Sequence, residues 1–353
     1  MNIPSSLRTL TALISFTTLA HAGQVGAQHR LLVANGKTVA VVTPDGSIER
    51  ELKTTGLHDV SYLPNGNILF QSSWTRVAEA DPKGNIVWEY DCATSNGNTG
   101  KPLEVHAFQR LENGVTMIAE SGIGRIIEVD REGRLVHSIQ LKVDRPSKHR
   151  DTRLVRRTPQ GTYLVSHEGD GKVREYARDG SVVWEYAVPL FDRAPKGGHG
   201  PEGFGNQTFA SLRLDNGNTL ITTGNGHRVI EVNKAGDIVW QLTPDDLPGI
   251  ALGWITRVER LPNGNTLVAE QDPCQAVEVN AKGAVVCITP LTTNVKGFHL
   301  QVRNIHKLPN GNILAAHEGD IARQHANTGK TKTCPPSDHG PQSTAQNSGP
   351  ECP

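Results

Sequence analysis

The chain has 353 residues, with 36 basic and 36 acidic side chains, a formal net charge of zero, 36 Gly, 21 Pro and 5 Cys. Balanced charge excludes the basic surface of a nucleic-acid binder or a polybasic membrane binder. Gly and Pro together are 57 of 353 residues, too few for collagen or low complexity but suited to a turn-rich all-β protein, and five cysteines are too few for a disulfide scaffold.

In chain order, residues 1–22 read as a secretory signal peptide. Arg8 supplies the positive start, Leu10 to Ala20 a short, mostly apolar stretch, and Ala20-His21-Ala22 the small-residue cleavage site. That stretch is well short of the ~20 residues that cross a bilayer. The expected location is therefore periplasmic or secreted, with no transmembrane segment. Export permits disulfides, and Cys274 and Cys287, which flank the hairpin CQAVEVNAKGAVVC, are the candidate pair.

From residue 29 onward the chain repeats itself. SYLPNGNILF, QRLENGVTMI, RRTPQGTYLV, LRLDNGNTLI, ERLPNGNTLV and HKLPNGNILA carry turn glycines at Gly66, Gly114, Gly161, Gly217, Gly264 and Gly311, in steps of 48, 47, 56, 47 and 47. Asn-Gly between alternating apolar runs marks a hairpin turn. A second hairpin with a D-x-x-G-like turn follows each of the first five, as in VAEADPKGNIVWEY. Each unit thus reads as four short strands, A to D, and a four-stranded unit repeating every ~40–50 residues is a propeller blade. An N-terminal unit, HRLLVANGKTVAVVTPDGSIEREL, matches B, C and D without an A strand. The expected fold is all-β: a single β-propeller of four-stranded blades over 23–335, seven blades with six as the alternative. Residues 336–353 have no apolar period and read as a disordered tail.

The HD-x-x-x-LPNGN-x-L segment at 58–69 resembles the arylsulfotransferase-type propeller repeat, and the VWEY hairpins resemble the quinoprotein (PQQ) propeller repeat. The resemblance spans about residues 29–335 and concerns the repeat itself. The first likeness implies sulfuryl transfer through a histidine, with His58 or His106 as the nucleophile and Arg153 and Arg303 holding the anion. The second implies a quinone cofactor, for which the chain offers no adjacent Cys-Cys pair.

In an up-and-down meander the A–B and C–D turns share one rim, and the B–C and D–A loops share the other. The first rim is nearly identical between units; the second varies and is the candidate functional face. Eight residues before each turn glycine stand His58, His106, Arg153, Phe209, Thr256 and Arg303; six residues after it stand Ser72, Glu120, His167, Thr223, Glu270 and His317. Strand A is normally innermost, which directs the first set at the central funnel. His227, His299 and the insertion at 191–208, which carries His199, belong to the same rim, and His-Glu-Gly-Asp recurs at 167–170 and 317–320.

The candidate site is therefore His58 and His106 as catalytic groups, with Arg153, Arg303, Glu120, Glu270, His167, His227 and His299 as ligand-binding groups. No cofactor is identified; a divalent metal is the candidate, with His317 and Glu318 as ligands. The expected partner is a small anionic or aromatic molecule, whether the site is an enzyme's or a binder's. A non-catalytic scaffold propeller with an envelope protein partner is the alternative, and a nucleic-acid partner is excluded. Trp88, Trp184 and Trp240 recur at one strand-D position and read as packing between blades.

Overall fold

Two turns shape each four-stranded blade. In the first, the Gly66 amide donates to Leu63 O (2.9 Å) and the Leu63 amide to Asn67 O (2.8 Å), with Gly66 at φ +84°. That left-handed conformation suits glycine, which has no Cβ to clash. In the second, the Gly84 amide donates to Asp81 O, and the Asp81 carboxylate accepts from the Lys83 and Asn85 amides.

The computed structural model describes residues 31–35, 38–42, 48–56, 58–197, 203–247, 250, 252, 255–270, 275–290, 301–307 and 313–318. The segments expected to be the signal peptide and the tail, together with His199, His299 and Cys274, lie outside these residues. No helix among them is long and apolar enough to cross a membrane.

An N-terminal sheet contains β1 (Leu31–Asn35), β2 (Thr38–Val42) and β3 (Ile48–Lys53). Blade 1 contains β4 (Val60–Tyr62), β5 (Ile68–Ser73), β6 (Arg76–Ala80) and β7 (Ile86–Asp91); blade 2 contains β8 (Glu104–Arg110), β9 (Thr116–Ser121), β10 (Arg125–Val129) and β11 (Leu135–Gln140). Blade 3 contains β12 (Val155–Arg157), β13 (Tyr163–His167), β14 (Lys172–Tyr176) and β15 (Val182–Ala187); blade 4 contains β16 (Ser211–Arg213), β17 (Thr219–Thr222), β18 (Val229–Val232) and β19 (Ile238–Leu242). Blade 5 contains β20 (Ile255–Arg260), β21 (Thr266–Glu270), β22 (Gln275–Val279) and β23 (Val285–Pro290), and β24 (Gln301–Lys307) pairs with β25 (Ile313–Glu318) in a two-stranded sheet.

Among the described residues the propeller has five four-stranded blades, not seven or six. Counting hairpin motifs overcounts blades, because the first unit forms a sheet of three strands and the last a sheet of two. The first and last described strands come together all the same: β25 lies alongside β1, and β24 against β20 and β21.

The core sits between blade faces. Leu32, Val39, Val41 and Leu52 of the N-terminal sheet pack on Val60, Ile68 and Phe70 of blade 1, and Leu69 and Val77 of blade 1 pack on Val105, Phe108, Ile118 and Ile127 of blade 2. A polar latch repeats at the same junctions. A strand-C glutamate of one blade binds a strand-A arginine of the next: Glu79 with Arg110 (2.6 Å), Glu128 with Arg157 (3.2 Å), Glu175 with Arg213 (2.5 Å) and Glu231 with Arg260 (2.7 Å). Arg110, Arg213 and Arg260 also lie over the rings of Trp88, Trp184 and Trp240, at 4.9, 5.1 and 5.5 Å from the centroids. The recurring tryptophans thus pack between blades and carry a cation–π contact.

Candidate functional site

The variable rim holds a pocket lined by His58, His106, Arg153, Leu154, Phe209, Thr256 and Arg257, with about 360 Å³ of space that includes its open mouth. Five of the six residues standing eight before a turn glycine meet here. In two of the five strands the local cause is a β-bulge at the start of strand A. In β8 the register shifts between Val105 and Ala107, leaving His106 as the extra residue; in β20 it shifts between Ile255 and Arg257, leaving Thr256. A bulge re-aims the unpaired side chain. Arg303 holds the same bulge position in β24, between Val302 and Asn304.

His106 is buried. Its Nδ1 lies 2.9 Å from the Thr152 carbonyl and its Nε2 3.0 Å from Glu104 Oε2. The same Glu104 oxygen lies 2.7 Å from Nδ1 of His149, and Lys148 Nζ is 3.4 Å from Oε1. Burial pushes the His106 imidazole down to about 4, against the pull of Glu104. Burial also works to raise Glu104, but the hydrogen bonds from His106 and His149 outweigh it and bring that carboxyl to about 2. The rings of His58 and His106 are 4.3 Å apart, and His149 stands 5.6 and 5.2 Å from them. One nitrogen from each of these three histidines falls within 4.8 Å of the other two. Trp74 covers the cluster, 5.4 to 6.4 Å from the three rings.

The opposite wall is cationic. Arg153 pairs through Nε with Glu168, places Nη1 3.5 Å from His58 Nδ1, and lies 4.8 Å over the Phe209 ring. Arg257 binds the buried Asp59 carboxylate at 2.8 Å, and Arg156 grips the same carboxylate through two contacts at 2.8 and 2.9 Å. Burial works to raise Asp59, but Arg156 and Arg257 hold it below the usual carboxylate range. Burial, helped by Arg156, takes Arg257 down to about 10. Asp59 therefore joins blades 1, 3 and 5, which puts it beneath the funnel rather than in a simple blade-to-blade contact.

Other expected site residues stand elsewhere. Glu120 is buried against Arg125 (2.6 Å) and Asn98 (2.9 Å), and burial raises its carboxyl above the usual range despite Arg125. His167 lies inside blade 3, bonded to Asp151 O (2.7 Å) and Tyr176 Oη (2.9 Å). His227 is bonded to the Leu252 carbonyl and to Gly203 O (2.6 Å). Glu270, His317 and Glu318 end strands β21 and β25, where the backbone of Glu270 pairs with Ile255 and that of His317 with Val302. Cys287 pairs in register with Glu278. Sequence reasoning missed His149, Glu104, Trp74 and Arg257. The D–A connection before β12 carries Lys148-His149-Arg150 on the variable rim, and that placement was the available signal for His149.

A family model described as outer membrane protein assembly factor BamB matches residues 33–232, more than half of the chain. The chain belongs to this family of PQQ-like repeat β-propellers. The quinoprotein-like part of the sequence resemblance is the part that this match bears out. No curated protein matches the chain. Among solved structures, the BamB-like chain is similar to a protein of unknown function from Bacteroides caccae (20% identity, TM-score 0.60, 81% of this chain and 98% of that one). It is also similar to a streptogramin B lyase (13% identity, TM-score 0.56, 83% and 91%). A third neighbour is a catalytically inactive variant of virginiamycin B lyase from Staphylococcus aureus, solved with quinupristin (13% identity, TM-score 0.54, 76% and 81%). These likenesses show the propeller fold.

Proposed function

We propose that the protein is an exported propeller that binds a small organic anion with an aromatic part in the funnel of its variable rim. One observation carries the reading: among the described residues the pocket lining contains two guanidiniums, two imidazoles and one aromatic ring, and no carboxylate. Arg153 and Arg257 supply donors suited to a sulfate, phosphate or carboxylate. Phe209 and Leu154 supply an apolar surface for a ring. His58, half-buried at the mouth, is the imidazole placed to meet the ligand, whereas His106 is engaged through both nitrogens. The 1–22 signal peptide and an envelope location fit the family's description as an outer-membrane assembly factor.

Calorimetric titration with phenyl sulfate, and with phenol as the uncharged control, tests the reading. Binding of the sulfate and not the phenol is expected, and Arg153→Met should weaken it by roughly 10- to 100-fold, since a hydrogen bond to a charged group contributes about 1.5–3 kcal/mol. Equal binding of phenol, or no effect of Arg153→Met, would refute it. Transfer of the sulfuryl group to an added phenol, lost in His58→Ala, would place the protein among transferases. The family description supports a second reading, a scaffold that docks an envelope protein; retention of partner binding in Arg153→Met would favour it.

A further inference from the structure

We propose that His58, His106 and His149, with the Glu104 carboxylate, form a binding site for a divalent transition metal of the zinc type at the wall of the funnel. The inference rests on the reading of this funnel as the ligand site and adds an inorganic component to it.

The hydrogen-bond geometry of His106 is the starting point. A neutral imidazole has one N–H and one lone pair. The Nδ1 of His106 faces the Thr152 carbonyl at 2.9 Å, so Nδ1 carries the hydrogen. Its Nε2 then faces Glu104 Oε2, 3.0 Å away, across either a proton or a metal ion. Nδ1 of His149 converges on the same carboxylate oxygen at 2.7 Å. Those contacts have hydrogen-bond lengths; a tetrahedral ion with bonds of ~2.0–2.2 Å sets its ligand atoms roughly 3.3–3.6 Å apart, so side-chain shifts of less than about 1 Å would admit one.

The outer contacts fit as well. A backbone carbonyl fixing one imidazole nitrogen so that the other can ligate is the usual support of a metal-bound histidine, and Thr152 O plays that part for His106. His58 adds a third imidazole within 4.8 Å of the others. Its Nδ1 lies 3.5 Å from Arg153 Nη1. Three imidazoles and a carboxylate suit zinc and its first-row neighbours rather than magnesium or calcium, which favour all-oxygen sets. The four residues come from three places in the fold: the segment before β4, strand β8 and the connection leading to β12. Assembly therefore requires the folded ring. Arg153 stands beside the cluster with its charge matched by Glu168, so it does not exclude a cation, and a ligand anion would face metal and guanidinium together.

The test uses the full folded protein, stripped with a chelator and then titrated with Zn²⁺ alone by calorimetry, and with Co²⁺ alone by visible absorption. Uptake of one ion per chain and a Co²⁺ ligand-field band are expected. His149→Ala, a change at an exposed loop residue, should weaken binding at least about tenfold, because even supporting residues around such sites are worth ~10- to 100-fold. His137→Gln, outside the cluster, should leave it unchanged. No uptake by the wild type, or uptake that His149→Ala and Glu104→Gln both leave intact, overturns the proposal. The Co²⁺ band of the wild type decides the question even if a variant fails to fold, and its absence means that a proton, not a metal, joins His106 to Glu104. Phenyl sulfate binding by the metal-free protein is read separately, so failure of the metal site and failure of the anion pocket are distinguishable.

Discussion

Asp59→Ala removes the carboxylate that Arg156 and Arg257 share under the funnel. Asp59 is 1% exposed and Arg257 4%. The wild-type carboxylate accepts from both Arg156 amino groups, from Arg257 at 2.8 Å and from the Phe108 amide at 3.3 Å. Without it, two guanidiniums of like charge face each other in a dry site. Removing one member of a buried ionic set costs about 3–5 kcal/mol. At roughly 2 °C per kcal/mol for a domain of this size, the melting temperature at pH 7 should fall by about 6–10 °C. Differential scanning calorimetry measures it, with Glu132→Gln as the comparison. Glu132 belongs to an exposed pair with Arg134, so that loss should stay below ~1 kcal/mol. Asp59→Leu combined with Arg257→Leu should recover part of the stability, because the remaining cation lies nearer solvent. A fall of less than about 1 kcal/mol in Asp59→Ala would show that the three blades are not joined as described.

Three further outcomes follow from the same contacts. Gly122→Ala should destabilise the fold by more than ~2 kcal/mol in a urea titration: φ is +86° and an added Cβ would stand 2.3 Å from Pro102 O and 2.8 Å from Lys148 Cβ. By shifting Lys148, it should also weaken Zn²⁺ uptake through the neighbouring His149. His167 is held below its usual pKa by burial and by Arg174, so its contribution to stability is complete above pH ~6.5 and declines as pH falls below that toward its folded value. Melting temperature against pH should therefore flatten over that range in His167→Gln relative to the wild type, and parallel curves would contradict the assignment. Glu175→Ala should lower stability by ~1–3 kcal/mol, since it strips the Arg213 latch of its carboxylate while leaving the Trp184 ring beneath the cation.

Much of this architecture is legible in the residues. The turn glycines fix the hairpins because their left-handed φ excludes most side chains, and equivalent positions in successive A strands face one funnel because the repeat places each strand A alike, with a bulge added at the start of β8 and β20. His58, His106, Arg153, Phe209 and Thr256 converge for that reason. The blade count was not legible, since a hairpin motif does not say whether its strands find two more partners. Of the positions six after a turn glycine, Glu120 and His167 lie near the ends of their B strands facing the packed interior, where Arg125 and Tyr176 hold them. His149 has no repeat-mate, because it lies in a connection rather than in a strand. Its meeting with Glu104 depends on the path of that loop, which no periodicity encodes. Cys287 stands opposite Glu278 in the hairpin, and its expected partner Cys274 lies outside the described residues.

The central claim is that the funnel mouth is the ligand site. Imidazole resonances of histidine-labelled protein, followed by NMR during addition of phenyl sulfate, test it most directly. The account predicts saturable shifts of the His58 and His106 signals, with those of His167 and His227 unmoved. Shifts confined to histidines away from the funnel, or no saturable shift at all, would contradict it.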